Sequence, residues 1–115
     1  MFVMQKEYRI RKNGQFQYVY RKGSAASCRE LTLLYIRAPR LQVGFSVSKK
    51  VGKAFMRNRI KRRLRAAFSS QINSLKCGYY VFAVKPLAAQ ADYRTLLSSM
   101  RYLLRKQNLY KGRLE

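Results

Sequence analysis

The chain has 115 residues, 48% of them hydrophobic, and sets 26 Lys and Arg against four acids, for a net charge of +22. That length supports one domain around one core, residues 1–115, and the charge makes its compact state repel itself unless a polyanion lies against it. With no His, and only Glu7, Glu30, Asp92 and Glu115 as acids, the inventory excludes the usual general bases and two-metal carboxylate sites of a self-sufficient hydrolase.

Along the chain, Asn13 reads as an N-cap, Phe16, Val19 and Tyr20 recur at helical spacing, and Gly23 is a stop, which predicts a short helix over residues 14–22. Its aromatics suit either a core or a ligand-facing surface. Residues 29–37 are β-rich with apolar alternation and break at Ala38-Pro39-Arg40. Residues 42–48 form the next strand, with Val43, Phe45 and Val47 on one face and Gly44, Ser46 and Ser48 on the other, a small polar face that another chain can approach closely. The first hairpin is expected to be antiparallel.

A helix over residues 55–74 then carries the stripe Ile60, Leu64, Ala67, Phe68, Ile72 and Leu75 toward a core. Asn58, Arg62 and Arg65 share one flank with Lys61 at its edge, and Arg59 and Arg63 share another. Nine of the residues from Lys49 to Arg65 are Lys or Arg and none is acidic, so Arg59 with Arg63 and Lys61 with Arg65 are repulsive pairs one turn apart. A solvated face would intersperse Glu; an uncompensated one fits a polyanion. Past Gly78, the run YYVFAVK is apolar enough for an interior strand and ends at Lys85-Pro86. Asp92 caps a last helix with Leu96, Met100, Leu103 and Leu104 buried, and a basic tail follows.

These elements make an α+β fold, a single compact domain in the order helix, strands, helix, strand, helix, with a mixed four-stranded sheet. The strand–helix–strand unit after Val43 places its two strands parallel. Cys28 and Cys77 have no CxxC partner and no His to complete a zinc site, so they read as reduced thiols. The uncharged stretches are far short of a membrane span, and MFVMQKEYRIRKN lacks signal-peptide order, which gives a cytoplasmic expectation.

The segment Gly44-Phe45-Ser46-Val47-Ser48-Lys49-Lys50-Val51-Gly52-Lys53-Ala54, followed by Arg57-Asn58-Arg59-Ile60-Lys61-Arg62, resembles the signature of the protein subunit of bacterial ribonuclease P, including its Arg-Asn-Arg motif. Phe16, Tyr20 and Gly23 match that family's N-terminal aromatic helix, and Lys85-Pro86 the end of its last strand, so the similarity covers nearly the whole chain. The resemblance implies a ribonucleoprotein in which a catalytic RNA, holding most of the Mg2+, removes the 5′ leader of precursor tRNA while the protein acts as cofactor, with no obligate protein partner. It also implies a left-handed βαβ crossover, against the usual hand.

Carried over by position, the resemblance assigns Lys49, Lys50, Lys53, Arg57, Asn58, Arg59, Lys61, Arg62 and Arg65 to the RNA subunit. It assigns Phe16, Tyr20, Ser46, Ser48 and Lys85 to the single-stranded leader. Leu34 stands where the family often has an aromatic, which removes a stacking residue from the first strand, and Tyr35 should point to the opposite face. Charge and fold class alone also admit a ribosomal-type RNA-binding protein, and an independent nuclease is the third class.

Overall fold

The structure, a computed structural model, describes residues 6–112; the first five residues and the last three of the basic tail lie outside it. Helix α1 is Asn13–Lys22, and the amides of Gln15 and Phe16 both reach the Lys12 carbonyl, so Lys12 holds the cap position and Asn13 is the first helical residue rather than the cap. Gly23 does stop α1, its N–H donating to Val19 O at 2.8 Å. It does so in extended backbone, and a Cβ there would sit 2.6 Å from Val19 O and 3.0 Å from Tyr35 O, so glycine is needed for close approach.

Strand β1, Ser24–Ser27, pairs antiparallel with β2, Leu31–Ile36. The antiparallel hairpin expected between residues 29–37 and 42–48 does not form, because β2 takes as its partner a strand, SAAS, that has no hydrophobic alternation to announce it. Strand β3, Gln42–Val47, stops one residue before the predicted end because Ser48 leads into a 3-10 turn, Lys49–Val51. Helix α2 spans Ala54–Ser69, strand β4 Tyr79–Val84 and helix α3 Tyr93–Lys106. The helix predicted to reach residue 74 ends at Ser69: the Ser70 hydroxyl and the Gln71 amide both donate to the Ala67 carbonyl, Gln71 leaves helical geometry, and Ile72–Ser74 is a separate 3-10 turn. Asp92 caps α3 as expected, accepting from Thr95 N at 2.9 Å, and that bond, foremost, holds its carboxyl below the usual range.

The four strands lie in the order β1-β2-β4-β3, with β3 and β4 parallel and the other pairs antiparallel. Consecutive strands β2 and β3 are therefore not neighbours. Strand β4 takes the place between them because its residues bury on both faces.

One face packs against α2 and α3. Leu31 and Leu33 from β2, Tyr80 and Phe82 from β4, and Val43 from β3 meet Ile60, Leu64, Phe68, Leu96, Met100 and Leu103 there. Tyr80 is fully buried, its ring edge-on to Tyr35 at 4.9 Å and to Phe68 at 5.3 Å, its hydroxyl donating to Lys76 O at 2.6 Å. Burial pushes that phenol well above its ordinary pKa. Tyr35 thus lies on the face opposite Leu34, as expected. The other face is covered by α1 through a smaller cluster of Ile10, Val19, Leu34 and Val81, with Phe16, Ile36 and Tyr79 half-buried beside it. At about 1.5–3 kcal/mol for each large apolar side chain fully buried, the α2/α3 side carries most of the stability and α1 is lightly held.

Candidate nucleic-acid interface

The 3-10 turn is pinned by Val51, which is 5% exposed, with its amide on Ser48 O at 3.1 Å. That anchor leaves Ser48, Lys49, Lys50 and Lys53 in solvent on both sides of it. Helix α2 starts directly after Lys53 with no acidic residue in its first turn and no side-chain cap bond. Its N-terminal partial positive charge adds to the side-chain charges.

The stripe Ile60, Leu64, Ala67 and Phe68 turns α2 toward the core, which leaves Asn58 and Arg62 exposed. The two flanks differ in a way that spacing did not show. On one, Arg65 is half-buried, and burial first, then the positive charge of Arg9, holds its guanidinium below the ordinary value. On the other, Arg63 donates from Nη1 to Ala91 O at 2.9 Å and so ties α2 to the turn ahead of α3. Arg57 donates from Nε to Gly52 O at 3.1 Å, fastening the basic turn to the helix, and its guanidinium keeps further donors for a ligand. Lys61 and Arg59 are half-buried, and Arg59 Nε is buried without a hydrogen-bond acceptor among the described residues.

On the α1 face of the sheet, the tip of the Phe16 ring lies over Gly44, where a Cβ would come within 2.5 Å of Cζ. The space expected to admit another chain at Gly44 is filled by Phe16, and the open part of the face begins beyond it. There Ser27, Thr32, Ala83 and Ser46 stand in register across all four strands, none of them buried. Tyr20, one turn after Phe16, is 39% exposed. Ser46 continues through Ser48 into the basic turn. Lys85 lies on this face but is already engaged: its Nζ donates to Cys28 O at 2.6 Å and its amide to Glu30 O at 2.9 Å, stapling the end of β4 to the β1–β2 turn.

The predicted residues therefore fall on two surfaces. Phe16, Tyr20 and Ser46 belong to the α1 face, while Arg57, Asn58, Arg59, Lys61, Arg62 and Arg65 belong to α2 on the opposite face. Residues 48–53, with Ser48, Lys49, Lys50 and Lys53, join them at the β3 edge. Sequence reading missed a basin of about 510 Å3 lined by Arg9, Arg11, Lys12, Arg40 and Tyr79 among others. The charges of residues 9–12 were visible in the sequence, but nothing local brought Arg40 to them. Also missed was Phe55, 64% exposed on the outer side of α2. Neither cysteine is in a disulfide; Cys28 is half-buried and Cys77 exposed. No helix among the described residues is long and apolar enough to cross a membrane.

Comparison with known proteins supplies the family context. The family model described as Ribonuclease P matches residues 4–108. The ribonuclease P protein component of Bacillus velezensis is 35% identical over 111 residues, covering 94% of this chain and 96% of that one. That of Shouchella clausii is 41% identical over 108 residues, covering 90% and 88%. Among solved structures, a Staphylococcus aureus RNase P protein, a mutant with defective mRNA degradation activity, superposes with a TM-score of 0.86 at 28% identity, covering 91% of this chain and 92% of that one.

Proposed function

Because this chain belongs to the ribonuclease P protein family, a component of an endoribonuclease, we propose that it is the RNA-binding cofactor that holds the catalytic RNA on α2 and the 5′ leader of precursor tRNA on the α1 face. The observation that supports this reading is the junction at residues 48–53. One short cationic turn continues on one side into the small-residue floor beside Phe16 and Tyr20 and on the other into the exposed ridge of α2. A strand of RNA on each surface meets the same lysines.

The division of labour follows from contact type. Lys49, Lys50, Lys53, Arg62 and Arg65 take phosphates and so set position without reading sequence. Phe16 and Tyr20 offer ring faces to unpaired bases over a floor too small to obstruct them. Arg57, with one guanidinium nitrogen held by Gly52 O, keeps the turn and the helix in fixed register for both. Magnesium-dependent hydrolysis is assigned to the RNA. Among the described residues no group of three or more His, Cys, Asp or Glu side chains is placed to hold a metal ion. The reading places the work in the cytoplasm, on precursor tRNA.

The test is reconstitution. Purified protein is expected to leave precursor tRNA intact when rigorously free of RNA, and to restore leader removal to bacterial ribonuclease P RNA at a magnesium concentration where the RNA alone is slow. Cleavage by the protein alone would make it a nuclease. Binding to the RNA without any gain in cleavage would make it a structural RNA-binding protein.

Phe16 separates packing from leader contact. Phe16→Leu retains apolar bulk over Gly44 but loses the ring face, so it is expected to keep most of the stability while weakening a leader-bearing precursor by about 5- to 100-fold relative to leaderless tRNA. Phe16→Ala should lose both, at a cost below the about 3–5 kcal/mol of a fully buried Phe. Unchanged leader discrimination in Phe16→Leu would reduce Phe16 to a packing residue.

A further inference from the structure

Phe55 is the second residue of α2 and, at 64% exposure, the most exposed large hydrophobic side chain among the described residues. Nothing in the fold calls for an aromatic there: the buried stripe of α2 starts at Ile60, and a first-turn position favours small or straight-chain residues over Phe. Its helical neighbours are all suited to RNA. Asn58 and Arg59 lie three and four residues on, and Arg62 lies seven on, so Phe55, Asn58 and Arg62 form the outermost ridge of the helix, about 10 Å long at 1.5 Å per residue. Lys53 precedes it, and among the described residues the buried Nε of Arg59 has no acceptor.

An exposed apolar residue alone needs no explanation. Leu87 is 59% exposed and sits in the turn Pro86–Gln90, which holds no cation. Phe55 differs because it is the ring in a cationic row. A protein partner would have to cover that row with carboxylates, whereas a nucleic-acid strand supplies phosphates for the cations and a flat apolar face for the ring in one ligand.

We propose that Phe55 is a stacking platform for an unpaired base of the RNA that lies along α2, with Arg59 and Arg62 on the flanking phosphates. This rests on the reading of α2 as the face for the RNA subunit. It adds a base contact where that reading has only phosphate contacts.

The chain contains no Trp, so Phe55→Trp introduces a unique fluorophore at the site. Its emission is expected to be quenched on addition of bacterial ribonuclease P RNA, with affinity kept within about twofold of wild type. Phe55→Ala and Phe55→Leu should both bind that RNA about 5- to 100-fold more weakly, while Leu87→Ala binds as wild type. Circular dichroism should show every variant folded, since the replaced side chains are largely in solvent. If Phe55→Leu binds like wild type, the contact is merely apolar and stacking is overturned. If wild type binds but the introduced indole is not quenched, the platform is also wrong and the broader reading survives. If wild type does not bind the RNA at all, it is the functional reading that fails.

Discussion

Arg62→Ala/Arg65→Ala is expected to bind the ribonuclease P RNA about 10- to 100-fold more weakly at low salt, with the slope of log affinity against log salt shallower by roughly 1.5–2. Each arginine is assigned a phosphate, and each phosphate neutralised releases close to one counterion, so two lost contacts change the slope by nearly two. The fold should tolerate the change. Arg62 is exposed, and Arg65 is half-buried beside the like charge of Arg9, so its removal relieves repulsion. Arg63→Ala is the informative control, because its guanidinium is bound to Ala91 O. That variant should lose stability and keep the salt slope. A double variant with wild-type slope and affinity, measured by filter binding over a salt series, would remove α2 from the interface.

Phosphate or RNA should raise the melting temperature by roughly 10 °C over chloride at matched ionic strength. A ligand of the folded state present at about 100 dissociation constants contributes roughly 2.7 kcal/mol, and each kcal/mol moves the midpoint of a domain this size by roughly 3–6 °C. The cause is the +22 charge, concentrated where Lys49, Lys50, Lys53 and the α2 cations meet. Screening treats salts of equal ionic strength alike, so any excess response reports bound anion. Sulfate's general exclusion from protein surfaces is controlled with a protein of modest charge. Arg62→Ala/Arg65→Ala should shrink the excess. Coincident melting curves in chloride, phosphate and oligonucleotide would mean that the fold tolerates its charge unaided.

The elements that were legible from sequence are those whose signal is short-range. The buried set of α3 and its Asp92 cap follow from residues within a few positions of one another. So do the stripe Ile60 to Phe68 and the two-faced apolar run of β4. What went astray was decided by partners distant in sequence or by competition for a carbonyl. Strand β1 exists because β2 offers it a free edge, not because Ser-Ala-Ala-Ser prefers to extend. Helix α2 stops at Ser69 because two side chains compete for the Ala67 carbonyl, a contest that apolar periodicity does not register.

For the site, the amino-acid order alone determined the cationic turn and helix, the poverty of acid–base groups and the family signature, because charge, composition and contiguous motifs need no folding to be read. Tertiary structure decided how those residues are used. It set Phe16 over Gly44, turned Lys85 inward to Cys28 O, engaged Arg63 with Ala91 O, brought Arg9 near Arg65, and left Phe55 in solvent. Each of these depends on β4 entering between β2 and β3, which carries α1 to one face of the sheet and α2 to the other. A run that is apolar on both faces tells that a strand is interior, but its neighbours are chosen by the packing of the whole chain.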